Sequence, residues 1–298
     1  MNEKNNLDPY PRVSVIVPVK NGEKTIGKLL DALAGQDYPV NQLQIIIVDN
    51  GSTDGTLEII KKYPFTLEYE YRIASSYAAR NKGLSAANGE IIAFTDADCV
   101  PEKDWVRKGV ETLLGRNADM AGGKVSFILS DPPEVAEIID SITYLQNEDN
   151  VKNYRRAVTA NLFVRKCIFE KAGLFAEVQS GEDFNWTKKA ARQGFSLVYA
   201  PEAIIYHPAR RMRELLGKSR LTAMGSFQKA LQNESGLKII SEIADKLVPV
   251  PSRKVTRYLI SRPIILLKKG LAVWGVAYLI KLNQLRGIMS LIFKTGKK

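Results

Sequence analysis

The sequence predicts an α/β protein with a Rossmann-like, mostly parallel central sheet flanked by helices and with amphipathic helices at its C-terminus. Three observations carry this reading. β-Branched apolar runs alternate with helical segments at βαβ spacing through about residue 100. Three of the first four runs end in polar clusters, where ligands gather in open α/β sheets. After residue 250 the charge balance changes abruptly.

The first strand is Val13-Ser-Val-Ile-Val17, which ends at Pro18. Asn21 can cap a helix running to about Ala34, with Ile26, Leu29, Leu30 and Leu33 on one stripe. A second strand, Leu43–Val48, stops at Asp49-Asn-Gly-Ser-Thr-Asp-Gly55, and a helix follows through Ile59-Ile60. Thr66–Tyr71 reads as the third strand, Ser76–Ala87 as a helix and Ile91–Thr95 as the fourth strand. Beyond Asp104 the rhythm changes. Helices are expected near Trp105–Leu114, Pro133–Gln146 and Glu182–Arg192, with strands near Met120–Leu129, Val158–Val164, Phe195–Tyr199 and Ile204–Tyr206. These elements predict a catalytic domain over 1–208, its nucleotide-binding half about 12–100 and its acceptor half about 101–208. A helical extension over 209–250 and a basic amphipathic tail over 251–298 follow.

Composition narrows the function classes. With 45% hydrophobic and 25% charged residues among 298, the chain is neither disordered nor fibrous. Two cysteines, Cys99 and Cys167, make no disulfide framework and no CxxC zinc spacing, which fits a reducing compartment. Cys99 reads as structural. Met1–Pro11 lacks the apolar stretch of a signal peptide, so a cytoplasmic location is expected. The net charge is +11, yet residues 251–298 hold 11 Lys and Arg with no acid, leaving 32 basic against 32 acidic residues in 1–250. A neutral main domain argues against nucleic acid as a partner.

Neither GxGxxG nor GxxxxGKS occurs, so dinucleotide and P-loop sites are unsupported. The sharpest local feature is Asp96-Ala97-Asp98 after the fourth strand. Two carboxylates at that spacing can converge on one hard cation, or divide between a cation and a ribose. Taken alone, the same residues are equally a loop with two solvated aspartates.

Five motifs occur in order: Val13–Pro18, Val48-Asp-Asn-Gly-Ser-Thr-Asp-Gly55, Ala79-Arg-Asn-Lys-Gly83, Asp96-Ala-Asp98 and Gly181-Glu-Asp-Phe-Asn-Trp186. Over about residues 12–208 the chain resembles the inverting family-2 glycosyltransferases of the GT-A fold. The resemblance implies transfer of a sugar from a nucleotide-sugar donor, with UDP the family-typical nucleotide, and Mn²⁺ or Mg²⁺ as cofactor. It places Pro18, Val19, Asn21 and Glu23 along the nucleotide, Asp49 at the base, Arg80 and Lys82 near the phosphates, and Asp96 and Ala97 at the ribose or metal. Asp98 would ligate the metal, joined by Asp96 and by His207, the only histidine. Asp183 would be the general base, Glu182 would orient the acceptor and Trp186 would offer a sugar-stacking face. Where the family often has a second aspartate, this chain has Asn50. Arg210, Arg211 and Arg213 could clamp the pyrophosphate or form a solvated helix face.

The tail reads separately. Pro263–Leu267 and Leu271–Ile280 are apolar stretches divided by Lys268-Lys269-Gly270, and neither reaches the ~20 residues of a spanning helix. With Trp274 and Tyr278 among basic residues, they suit helices lying on an anionic membrane, peripheral on its cytoplasmic face; the competing reading is a C-terminal helical pair packed on the catalytic domain or forming an oligomer, its charges merely solvated. A glycan or lipid-linked acceptor of cell-envelope polysaccharide or glycolipid synthesis then follows. The alternatives are a catalytically silent membrane-associated nucleotide-binding module and a sugar nucleotidyltransferase. Asp98 retained together with Asp183 speaks against the first; the absence of a glycine-rich basic loop after the first strand speaks against the second.

Overall fold

The computed structural model describes residues 10–233, 243–248, 253–261 and 263–295. The Pro249/Pro251 boundary and most of the polar N-terminal stretch lie outside the described residues. The chain divides into two compact units: residues 1–126, 146–178 and 182–207 form the first, and 127–145, 179–181 and 208–298 the second.

The first unit is built on an eight-stranded sheet in the order β3-β2-β1-β4-β7-β6-β8-β5. β1 (Val13–Val19), β2 (Leu43–Asp49), β3 (Thr66–Tyr69) and β4 (Ile91–Thr95) are mutually parallel. α1 (Ile26–Ala34), α2 (Thr56–Ile60) and α3 (Ser76–Ala86) alternate with them along the chain. β1 is buried at every position, as a central strand covered on both faces should be. The other half is antiparallel: β7 (Asn161–Arg165) runs against β4 and β6 (Met120–Ile128), and β5 (Val100–Pro101) against β8 (Leu197–Pro208).

Several boundaries differ from the sequence reading. Asn21 does not cap α1; it sits at φ 52° in a turn, and the helix begins at Ile26. The two short strands expected over 195–206 are one, β8; its neighbour β5 pairs only at Ile205 and Tyr206, so Pro201 stands opposite no β5 residue and the strand continues through it. The single helix expected over 133–146 is two, α5 (Val135–Thr143) and α6 (Asn147–Tyr154), separated at Leu145, which has φ 54°. α4 (Trp105–Gly115), α7 (Ile168–Ala172) and α8 (Glu182–Arg192) complete the first unit's helices.

A buried amide network stitches the antiparallel half together. Asn161 accepts from Trp105 Nε1 at 2.9 Å and donates through Nδ2 to the carbonyls of Lys124 and Ala203. Asn147 donates to the carbonyls of Gly123 and Asn161 and accepts from the Val158 amide. Only glycine fits at position 123, because a Cβ there would run into the Asn161 side chain.

In the second unit, α5 packs Ala136 and Ile139 with Leu215 of α9 (Met212–Asn233), Val255 and Leu259 of α10 (Arg253–Ser261), and Val273, Ala277 and Ile280 of α11 (Pro263–Thr295). Residues 135–143 therefore belong to this helical unit and not to the sheet domain to which the sequence assigns them. The Lys268-Lys269-Gly270 interruption does not break the helix: α11 runs through it. Arg210 is bound to the fully buried Asp140, through its amide at 2.9 Å and its guanidinium at 3.1 Å. A carboxylate enclosed in this way needs its cation, so Arg210 is committed to structure and not available as a mobile clamp.

Replacing Asn161 by Ala strands the Trp105 N–H and two carbonyls in the interior. We expect a loss of about 2–4 kcal/mol, read as a lower urea midpoint for loss of near-ultraviolet circular dichroism.

Candidate active site

The first two strand ends build one interlocked loop. The Asn21 amide donates to Ser52 Oγ at 2.9 Å, and Asn21 Oδ1 accepts from the Thr53 amide at 2.8 Å. The Gly22 amide donates to Thr56 Oγ1, the Glu23 amide to Asp54, and Glu23 accepts from the Gly55 amide. Asn21 and Glu23, placed along the nucleotide by resemblance, thus shape the 52–56 turn. Val19 is buried at the strand end, and its carbonyl accepts from the Asn50 amide. Asp49 is fully buried and accepts from the amides of Gly51 and Ser52 at 3.2 Å. Tyr71, though largely exposed, has its phenol pushed up by partial desolvation first and by the neighbouring Asp49 carboxylate second. Asp49 thus braces its own turn; an ionised carboxylate has about four acceptor sites, so this does not exhaust it. Asn50 donates to the carbonyls of Glu70 and Ile73, work that an aspartate could not do.

α3 gathers the rest. Its N-cap, Ser75, accepts from the Tyr77 amide and donates to the Val178 carbonyl at 2.6 Å. Positions 77, 80, 81 and 84 share a face by helical spacing. On that face Tyr77 donates its hydroxyl to Asp183 Oδ1 at 3.2 Å, and Arg80 pairs with Asp96 Oδ1. The Arg80 guanidinium also lies 5.3 Å from the Tyr77 ring centroid. Asn81 clasps Phe175 by both its carbonyl and its amide. Lys82 points elsewhere. Two residues from Arg80 it lies on another side of the helix, and it pairs with Glu68 of β3 at 3.2 Å. The shared phosphate role expected of Arg80 and Lys82 is therefore split by geometry. Arg80 is 3% exposed, and its Nε is a buried donor with no acceptor, a group that interiors seldom leave unmet.

The Asp96-Ala97-Asp98 turn is closed by the Cys99 amide donating to the Asp96 carbonyl at 3.0 Å. β5 then pairs with β8 so that Val100 faces Tyr206, which carries His207 back beside this turn. His207 Nε2 lies 3.2 Å from Asp98 Oδ2. Burial pushes the Cys99 thiol well up, reinforced by the charges of Asp98 and Asp96, so it stays neutral and inert. The metal set expected from resemblance is only partly assembled: Asp98 and His207 converge, while Asp96 turns to Arg80. Among the described residues no group of three or more His, Cys, Asp or Glu side chains is arranged to hold a metal ion. One oxygen and one nitrogen donor fit a divalent ion that draws its other ligands from phosphate oxygens and water.

At the opposite end of α3's contacts, α8 starts with Glu182 and Asp183. Glu182 accepts from the Ala176 amide and from Asn185 Nδ2, and so braces the loop before it. Asp183 Oδ1 also accepts from the Phe184 amide at 2.9 Å. Arg156 lies 4.2 Å from the Phe184 ring centroid, and its charge is felt by Asp183. Trp186 does not face a ligand. It is 1% exposed, stacks on Phe169 at 4.5 Å and donates to the Gly173 carbonyl at 2.7 Å. The sugar-stacking role expected for it is corrected to a core role: the Thr187–Ala190–Ala191 face of α8 is turned inward, and Trp186 is turned inward with it. Tyr77, Asn81 and Arg156 were missed by sequence reasoning; the signal available for the first two was their i, i+3 and i, i+4 spacing from Arg80 and Tyr77.

Residues 14–169 match the model of glycosyl transferase family 2. Glycosyltransferase AglE of Haloferax volcanii is 38% identical over 240 residues, spanning 78% of this chain and 79% of that protein. The poly(ribitol-phosphate) β-N-acetylglucosaminyltransferase TarS of Staphylococcus aureus is 28% identical over 218 residues, but the chain spans only 36% of its length. Among solved structures, the mannosyltransferase PcManGT of Pyrobaculum calidifontis, in complex with GDP-Man and Mn²⁺, superposes with a TM-score of 0.65 at 22% identity, covering 94% of this chain and 88% of that one. That likeness shows a shared GT-A fold. With the family model and AglE it makes the chain a member of glycosyltransferase family 2.

Proposed function

We propose that the protein is an inverting, divalent-metal-dependent glycosyltransferase that moves a sugar from a UDP-sugar to an acceptor hydroxyl in cell-envelope glycan or glycolipid synthesis. The observation that carries this reading is the helix α3, whose one face touches both Asp96, beside the Asp98–His207 pair, and Asp183, at the head of α8. Groups for a leaving diphosphate and a base for an incoming alcohol are thereby tied to one rigid element.

Asp183 takes the proton of the acceptor hydroxyl as that oxygen bonds to the anomeric carbon. The bond from that carbon to the diphosphate breaks, and its electron pair leaves with the nucleoside diphosphate. Configuration inverts because attack and departure lie on opposite faces. Arg80 supplies fixed positive charge near the phosphates, and Asp49 with the 51–56 turn receives the base. Asp98 and His207 would hold the divalent ion, which supplies Lewis-acid stabilisation of the leaving diphosphate. Support for a sugar nucleotide and metal comes from PcManGT, which holds GDP-Man and Mn²⁺; support for an envelope acceptor comes from TarS, a poly(ribitol-phosphate) β-N-acetylglucosaminyltransferase. The guanine of the former makes GDP the competing donor.

The membrane association read from the tail has a surface to carry it. On α11, Val273, Ala277, Ile280 and Ile288 are buried, whereas Leu271 is 90%, Trp274 43% and Phe293 68% exposed. That outward apolar stripe sits in a segment with 11 basic and no acidic residues, a pairing that suits an anionic lipid surface. Among the described residues, no helix is long and apolar enough to cross a membrane.

Asp183→Asn should lower transfer at least about 100-fold while leaving the thermal shift produced by UDP and Mn²⁺ intact. A larger shift with GDP than with UDP would overturn the donor assignment, and undiminished turnover would overturn the base. His207→Ala and Asp98→Asn should each weaken the Mn²⁺-dependent part of that shift and spare the metal-free part. For the tail, deletion is a poor test because Val273, Ala277 and Ile280 form the core of the second unit. Leu271→Glu with Trp274→Glu should instead reduce co-sedimentation with phosphatidylglycerol vesicles about fivefold or more; equal pelleting would remove the membrane reading.

A further inference from the structure

Tyr77 belongs to none of the roles assigned so far, yet it is 6% exposed, and its hydroxyl reaches Asp183. Burial first, and the charge of Asp183 second, push this phenol far above its ordinary range, so it is a permanent proton donor. The ring is held from two sides: Phe175 lies 6.0 Å away by centroid, and the Arg80 guanidinium 5.3 Å away. Ser75 fixes the first turn of α3 against Val178, so the helix cannot withdraw the hydroxyl without breaking its own cap.

We propose that Tyr77 is the positioning residue for Asp183: its hydroxyl orients the carboxylate and, with Arg80 on the same helix face, fixes the base relative to the Asp96 end of the site. The inference rests on the reading of Asp183 as the base and deepens it. Oδ1 receives both the Tyr77 hydroxyl and the Phe184 amide, so two donors from different elements define the plane of the carboxyl group. A hydrogen bond donated to an ionised carboxylate favours the charged form. Tyr77 therefore keeps Asp183 ionised to lower pH, while limiting how far the side chain can rotate away from the acceptor. The charged and titratable groups that bear on Asp183 include Tyr77 of α3, Arg156 from the segment after α6, and Glu182 beside it on α8. Arg156 favours the charged carboxylate and Glu182 opposes it, and neither is altered by removing the Tyr77 hydroxyl.

Tyr77→Phe removes a donor to the charged form, so the Asp183 pKa rises and activity governed by an ionised base is lost at higher pH on the acid side. The experiment is a titration of protein labelled with ¹³C at the aspartate side-chain carboxyls, with Asp183→Asn assigning the signal. We expect the Asp183 midpoint to rise by about 0.5–1 pH unit in Tyr77→Phe. The acid limb of kcat/KM should move the same way, and kcat should fall on the order of tenfold with the donor KM unchanged. Phe175→Leu is the control. It disturbs the same aromatic cluster without touching the hydroxyl, and should lower Tm while leaving the midpoint in place. An unchanged Asp183 midpoint in Tyr77→Phe overturns the proposal, as does a shift of equal size in Phe175→Leu. The two readings fail separately: full transfer by Asp183→Asn sinks the base, whereas the carboxyl titration judges Tyr77 with no substrate present.

Discussion

Gly83 lets α3 press against the sheet. A Cβ at that position would stand 2.5 Å from Ile16 Cγ2 and 3.2 Å from Val48 Cγ2, so only glycine permits this approach to β1 and β2. The consequence reaches well beyond packing. Once that side of the helix is seated on β1 and β2, its other residues have fixed positions. Arg80 meets Asp96, Tyr77 meets Asp183, and Asn81 holds the backbone that leads toward α8. Segments distant in sequence are located by one short rod whose seat is the least deformable part of the fold.

Much of the first half was legible because its signals are local. β-Branched runs bounded by turn residues marked β1, β2 and β4 within a residue or two of their ends, and the ordered motifs gave the family. The helix spacing that divides Arg80 from Lys82 was equally readable, although resemblance had placed both at the phosphates. What stayed hidden depended on tertiary partners. The motif containing Trp186 advertises an aromatic beside two acids, but nothing local says that Phe169 and the Gly173 carbonyl claim the indole. Asp98 and His207 are likewise joined only by the pairing of β5 with β8. Resemblance could name both residues, but no pattern within either segment could bring them together.

The second unit shows the complementary difficulty. α11 is apolar on two sides, so its sequence has no clean amphipathic period, and the lysine pair near its start looks like a break. The packing of Val273, Ala277 and Ile280 against α5, α9 and α10 assigns one side to the interior. The other retains Leu271, Trp274 and Phe293, residues that a water-facing helix would ordinarily replace.

The pairing of β5 with β8 carries one more implication. Side chains alternate across a strand, so register and facing are the same variable. Gaining or losing a single residue between Cys99 and Pro101 would shift the Asp98 turn against β8 and carry its carboxylate away from the imidazole, although both members of the Asp98–His207 pair remained in the chain. In divergent homologues, loop length at this corner should therefore vary less than the loop's composition.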